Sequence, residues 1–236
     1  MNLSDIINDS ALIDSKIQGV IPGVISNNQD PKKLGRVRVV ISFLGVDSDP
    51  QGSNNKGIET DWAPVMSFAA GKKQGGYFLP EIEDEVLVAF LYGDVNRPYV
   101  MGALWNAQDI PPQDNADGKN NIKQITTRSG NTLLFDDTEN DAKIKLFDKD
   151  QKDEITISSK ENTITIKSSK KINLTCADGE ITIEAKEIKV NASSSLNLQS
   201  KSISIKSSGS LSLEGSSVSV KSSGSVSVKG SVINLN

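Results

Sequence analysis

The feature that most constrains this chain is a long run of aliphatic pairs, each pair one residue apart. They are Ile155/Ile157, Ile164/Ile166, Ile172/Leu174, Ile181/Ile183, Ile188/Val190, Leu196/Leu198, Ile203/Ile205, Leu211/Leu213, Val218/Val220, Val226/Val228 and Ile233/Leu235. The first members recur at intervals of 7 to 9 residues. By composition the last part is a serine-rich tail of the kind assigned to flexible linkers. A register kept through eleven units is a repeat, and a repeat outranks local composition when a fold is read.

Side chains at i and i+2 lie on one face of a strand. Each unit is therefore a short strand followed by a Ser, Gly, Asp or Asn turn. The glycines Gly209, Gly215, Gly224 and Gly230 read as turn positions with positive φ. Two small aliphatics per strand bury too little area to make a core alone. A helix is excluded, because i, i+2 spacing does not hold one helical face and serine-rich runs have poor helix propensity. A single-chain β-solenoid usually needs longer coils or several inward faces. Three identical chains wound as a triangular prism need only a repeat of about eight residues, with small aliphatics at the axis and Ser, Thr, Lys and Glu outside. The expected fold of residues 155–236 is that intertwined trimeric β-helix, with the paired residues as its core. Intertwining also gives each strand edge a partner.

The composition breaks along the chain. All aromatic residues fall at or before Phe147, and all prolines at or before Pro112. The first part can bury a conventional core, and the second must hold together by another means. Residues 1–17 read as a short amphipathic helix with Ile6, Ile7, Leu12 and Ile13 on one face, or as an arm that orders against a partner. Residues 18–106 read as five or six short strands, QGVIPGVIS, RVRVVISFL, DWAPVMSF, GGYFLPEI, DEVLVAFLY and RPYVMGALW, consistent with a small OB-type barrel. Residues 107–121 are a linker rich in Pro, Asn and Asp, and 122–154 read as hairpin-like strands forming the neck of the β-helix. The fold class is all-β.

Function classes narrow with the same residues. There is no His, so the commonest catalytic base and metal ligand is missing. Cys176 is the only cysteine, which excludes an intrachain disulfide; it follows Leu174 by two and reads as an inert small hydrophobe near the axis. Asp136, Asp137, Glu139 and Asp141 lack calcium-loop spacing and read as a solvated turn. Asp178, Glu180, Glu184 and Glu187 have no aromatic platform for glycoside cleavage. No GxxxxGK[ST] or GxGxxG phosphate loop is present. The lysines after residue 190 come without Arg or aromatics, which argues against nucleic acid. No catalytic residue, cofactor or metal is expected. The N-terminal residues show no ordinary signal peptide, and no apolar run reaches membrane-spanning length.

Three blocks carry a family resemblance: NNQDPKKLGRVRV (Asn27 to Val39), Trp62 to Asn106, and TRSGNTLLFDDTENDAKIKLFDKD (Thr127 to Asp150). In this order, and followed by the repeat, they resemble the central spike proteins of contractile injection machines, the phage baseplate spikes and the VgrG proteins of type VI secretion. The resemblance implies a non-enzymatic homotrimeric, membrane-puncturing spike, made in the cytoplasm and assembled into a virion baseplate or injection particle. Only about 17 residues precede the OB segment, which implies a separate hub protein. The linker is too short for an inserted lysozyme, and the His-x-His apex motif of some spikes is absent. That departure implies a PAAR-type tip protein seated on Ser231, Val232, Ile233, Asn234, Leu235 and Asn236, and a target membrane met transiently. The rival reading is a trimeric tail fibre or adhesin binding cell-surface glycan.

Overall fold

The structure is a computed structural model that describes residues 17, 19–42 and 57–234. The expected N-terminal helix face, Leu235 of the last pair and the tip residue Asn236 lie outside the described residues. The described chain is predominantly β, in two compact units that divide after Asn173.

In the first unit, strands β1 (Val20–Asn27), β2 (Arg36–Ile41), β3 (Ile58–Glu59), β4 (Ala63–Pro64), β7 (Glu85–Phe90) and β8 (Pro98–Ala103) form one antiparallel sheet in the order β3-β2-β1-β7-β8, with β4 also on β2. Alternation selects the core. Ile21 and Ile25, then Val37, Val39 and Ile41, then Val86, Val88 and Phe90, then Val100, all point inward. Gly23 occupies an inward place on β1 where a Cβ would sit 2.5 Å from Val39 Cγ1 and 3.0 Å from the Val40 carbonyl oxygen. Only a residue without a side chain lets β1 and β2 approach so closely. Thr60 is fully buried and extends the pairing beyond β3: its N–H donates to the Val39 carbonyl (2.8 Å) and its Oγ1 accepts from Val39 N–H (3.2 Å).

The sheet edges meet at one isolated parallel bridge, Val65 to Val100, with Met66 N–H donating to the Val100 carbonyl at 2.8 Å. No continuous ladder closes the sheet into a barrel among the described residues. The expected strand at GGYFLPEI is corrected. The two-residue strands β5 (Ala70–Gly71) and β6 (Gln74–Gly75) pair just before it, and residues 76–84 form no strand. Pro80 lacks an N–H for a ladder.

Strands β9 (Ile122–Thr126), β10 (Thr132–Asp136), β11 (Lys143–Phe147), β12 (Glu154–Ser158) and β13 (Thr163–Lys167) make a five-stranded antiparallel meander. Its turns are built by carboxylates. Asp148 accepts N–H bonds from Lys152 (2.8 Å) and Asp153 (2.9 Å), and Asp153 accepts from Ser168 Oγ and Ser169 N–H, both at 2.9 Å. These donors hold both carboxyls below the ordinary aspartate range.

Beyond the meander the chain is different in kind. From Ser168 to Asn234 no strand is assigned, and no backbone–backbone hydrogen bond forms within the chain among the described residues. The path is nonetheless regular. Bends fall at Lys186, Lys201, Ser216 and Ser231, and between them at Ser193–Ser194, Ser208–Gly209 and Ser223–Gly224. Two units therefore make one 15-residue period. The positive-φ reading of Gly209, Gly215, Gly224 and Gly230 is corrected, since none adopts positive φ. Serine hydroxyls shape the corners instead: Ser207 Oγ donates to the Ser210 carbonyl at 3.0 Å, and Gly224 N–H donates to Ser222 Oγ at 3.1 Å.

Candidate functional site

Three surfaces concentrate unusual chemistry. The first is the β1–β2 connection, the NNQDPKKLG segment. Asp30 folds it around its own carboxylate, whose side chain is almost inaccessible. It accepts the N–H groups of Lys32 and Leu34, each at 2.9 Å, and a two-pronged contact from Arg36, Nε at 2.9 Å and Nη2 at 2.7 Å. Fork-to-fork pairing of this kind is directional and charge-assisted. The Arg36 guanidinium first, and the two N–H groups after it, hold the Asp30 carboxyl far below the usual carboxylate range. Asp30 in turn raises Arg36. Arg36 and Arg38 both lie over the Trp62 ring, at 5.9 and 5.7 Å from its centre, and Arg38 pairs with Glu59 at 2.6 Å. The bracket is a folding device rather than a reactive centre, because its charges are spent on one another.

The second surface borders a cleft of about 940 Å³ beside that bracket. Leu34, Met66, Phe68, Tyr77 and Phe78 line it and are all strongly exposed, Phe68 by 85%. A cluster of large apolar side chains left in water is unusual on a protein surface.

The third surface is the apolar stripe. On the meander, direct cross-strand partners share a face, so Ile125, Leu133, Leu146, Ile155 and Ile166 form one row, and Phe135, Ile144, Ile157 and Ile164 form the next. Eight of these nine are exposed by 40% or more, while Thr132 and Ser158 on the opposite face are buried. The usual distribution is inverted: the oily face is the wet one. The sequence-based core began at Ile155 and missed Ile125, Leu133, Phe135, Ile144 and Leu146. The signal was present, since Leu133/Phe135 and Ile144/Leu146 are pairs of the same i, i+2 kind. Phe135 also places an aromatic on a face expected to carry only aliphatics.

From Ile172 onward every residue that the sequence places in the core faces solvent in the single chain, wherever the residue is described. The first members, Ile172, Ile181, Ile188, Leu196, Ile203, Leu211, Val218 and Val226, are 50–59% exposed. The second members, Leu174, Ile183, Val190, Leu198, Ile205, Leu213, Val220 and Val228, are 64–71% exposed. One chain therefore does not bury the expected core. The physical reason is that no backbone ladder stacks one unit on the next, so nothing in the same chain covers a pair. Each repeat still presents its pair in the same way. The tip residues Val232 and Ile233 are exposed too, and so is Cys176.

The acidic cluster is a turn in which two of the four carboxylates are paired with lysines. Asp137 pairs with Lys123 (2.6 Å), Asp141 with Lys143 (2.8 Å), and Asp136 accepts Thr138 N–H (2.9 Å). The Thr138 hydroxyl lowers the Asp136 carboxyl and Lys143 lowers that of Asp141. Among the described residues no group of three His, Cys, Asp or Glu is arranged to hold a metal ion.

The described surface therefore combines exposed apolar rows, an exposed aromatic cluster and acidic residues partly paired with lysines. Residues 21–105 match the family described as the type VI secretion system/phage-baseplate injector OB domain. Over 133 residues the chain is 29% identical to the type VI secretion system spike protein VgrG1b of Pseudomonas aeruginosa PAO1, covering 55% of this chain and 16% of that protein. It is 34% identical over 82 residues to VgrG1c of the same strain, covering 35% and 10%. It is 32% identical over 89 residues to the actin cross-linking toxin VgrG1 of Vibrio cholerae serotype O1, covering 36% and 8%. The match spans less than a fifth of each of these relatives. Residues 21–105 therefore carry the injector OB domain of this family, and the matched stretches of the chain are similar to type VI secretion spike proteins.

Proposed function

We propose that this protein is the non-enzymatic, homotrimeric central spike of a contractile tail or injection-system baseplate. The observation that carries the reading is the stretch from Ser168 to Asn234, a regularly bent chain with exposed aliphatics and no internal backbone pairing. Unpaired backbone groups and uncovered aliphatics are both costly, so such a segment is ordered only where other chains supply the missing partners. Three copies related by a three-fold axis supply them symmetrically, with the pairs from Ile155 to Leu235 along the axis. The OB segment 18–106, closed into a barrel, forms a collar with 107–121 as linker, and 122–154 is the neck of the β-helix. The exposed cluster around Phe68, Tyr77 and Phe78 suits contact with a baseplate hub protein, and Val232 and Ile233 suit an apolar seat for a PAAR-type tip.

The mechanism is mechanical. Contraction of a sheath drives the spike forward, and a stiff prism delivers the axial force to a small area of the target membrane. Stiffness comes from interchain β hydrogen bonds and an unbroken aliphatic core. Particle assembly follows synthesis in the cytoplasm.

Multi-angle light scattering on the purified full chain, with unheated SDS electrophoresis, tests the reading. The expected result is a trimer that survives SDS; a monomer rejects it.

A further inference from the structure

The meander and the repeat differ in one respect that bears on how three such chains would find each other. The meander completes its ladder within one chain: Leu133 is opposite Ile125 and Leu146, Leu146 opposite Ile155, and Ile155 opposite Ile166. Its three inner strands need no partner for their backbone, and only the outer edges of β9 and β13 are left open. The repeat has no internal backbone pairing and depends on partners for all of it.

The repeat is also a poor judge of register. With a 15-residue period, Ile188, Ile203, Val218 and Ile233 occupy one column and Leu196, Leu211 and Val226 the next. Two chains displaced by one period meet nearly the same side chains and the same Ser-rich corners. Pairing register is weakly specified wherever neighbouring positions offer equivalent contacts. The meander face has no such repeat: its rows contain a single Phe, one Leu pair and otherwise Ile, and Lys123 closes one end opposite Phe135.

Resting on the trimeric spike reading, we propose that the apolar face of β9–β13 is the docking surface for the other two copies of this chain, and that association there precedes and sets the register of the repeat. The occupant is a second copy rather than a foreign protein because the stripe is continuous in sequence with the repeat's own pairs, from Ile164/Ile166 to Ile172/Leu174. Whatever covers the pairs must begin on this face. A pre-folded face also joins with less ordering to do than an extended segment, which favours it as the first contact.

The test uses full-length chains. Register is read with Ile203→Cys and Val218→Cys chains, each carrying Cys176→Ser, mixed in denaturant, refolded and oxidised. Three-fold symmetry sets like residues at equal height, so in-register trimers link like with like, whereas a link between unlike variants reports a one-period slip. Ile144→Lys with Ile157→Lys, a directly opposed pair on the face, is then added to both chains. The expected result is slower, concentration-dependent assembly and an increase of about five-fold or more in unlike links. Val226→Lys, in the repeat, is expected to leave association intact by native mass spectrometry, which separates loss of docking from general misfolding. Circular dichroism checks that the meander retains its strands, since both substituted side chains are exposed in the single chain. Wild-type assembly rate with like-only links in the double-lysine chains overturns the proposal, as does a foreign protein held on this face in place of a second copy. Failure of the unsubstituted chain to form any trimer rejects the spike reading itself.

Discussion

Gly23→Ala is the sharpest test of the packing in the β1–β2–β7–β8 sheet. The new Cβ would stand 2.5 Å from Val39 Cγ1, 3.0 Å from the Val40 carbonyl oxygen and 3.4 Å from Ile41 Cγ1. Val39 and Ile41 are fully buried on β2, and Gly23 is itself held opposite Val86 on β7. The methyl therefore cannot be relieved by turning one flexible side chain; two paired strands must separate. Overpacking of this kind costs about 1–3 kcal/mol, more than the roughly 0.5–1 kcal/mol that Ala in place of Gly returns in a relaxed strand. The net expectation is a loss of roughly 1–2 kcal/mol. Val39→Ala alone opens a cavity and also destabilises, by about 2 kcal/mol. Since Val39 Cγ1 is the closest atom, the double variant should be more stable than the sum of the two losses, with a coupling of about 1 kcal/mol. Urea unfolding followed by tryptophan fluorescence reads this domain, because both Trp62 and Trp105 lie in the first unit. A Gly23→Ala chain as stable as wild type, or strictly additive losses in the cycle, refutes the close approach of β1 and β2.

Acid should act on the loops before the core. Asp30, Asp136, Asp141, Asp148 and Asp153 all have lowered carboxyl pKa values. A depressed folded value stabilises fully above the unfolded value near 4 and is lost as pH falls through the folded one, so melting temperature should drop only below about pH 4. With no His, it should stay level between about pH 6 and 8; Asp30 titrating at or above the ordinary value in a carboxyl NMR titration would contradict the bracket. Gly130 lies at φ +84, and a Cβ added there would stand 2.9 Å from Lys149 Cβ, whereas Gly102 has open space around it. Gly130→Ala should therefore cost more than about 1 kcal/mol and Gly102→Ala should stay within about 1 kcal/mol of wild type, measured by thermal unfolding; equal effects would reject the distinction.

The strands of the OB segment were legible because alternation survives in short windows: RVRVVI and EVLVAF read as half-buried strands and are. The expected strand at GGYFLPEI failed because its aromatics resemble a strand interior, while the missing Pro80 N–H works against a ladder, and Tyr77 and Phe78 stay in water. The Asp30–Arg36 bracket was invisible at the level of chemistry. Its carboxylate and guanidinium are six residues apart, a spacing that means nothing until the loop reverses and brings them to 2.7 Å. The repeat was read from its period, yet its upstream extent was cut short at Ile155. The polar residues Asp136 to Asp141, which form a turn between two strands of the same face, separate the Leu133/Phe135 pair from Ile144/Leu146 and interrupt the interval.

That interruption has a physical meaning. Hairpins of β9–β13 need turns that reverse the chain, and reversal demands Asx-type acceptors and left-handed residues such as Asn140 (φ 58), Gln151 (φ 53) and Asn162 (φ 51). After Asn162 no described residue has positive φ. From there the corners are bends shaped by serine hydroxyls, which turn the chain without sending it back along itself. A chain that cannot reverse cannot pair with itself in antiparallel fashion, and a 15-residue period of small aliphatics offers too little self-contact to close a coil alone. The loss of left-handed residues thus marks where the chain stops supplying its own backbone hydrogen-bond partners.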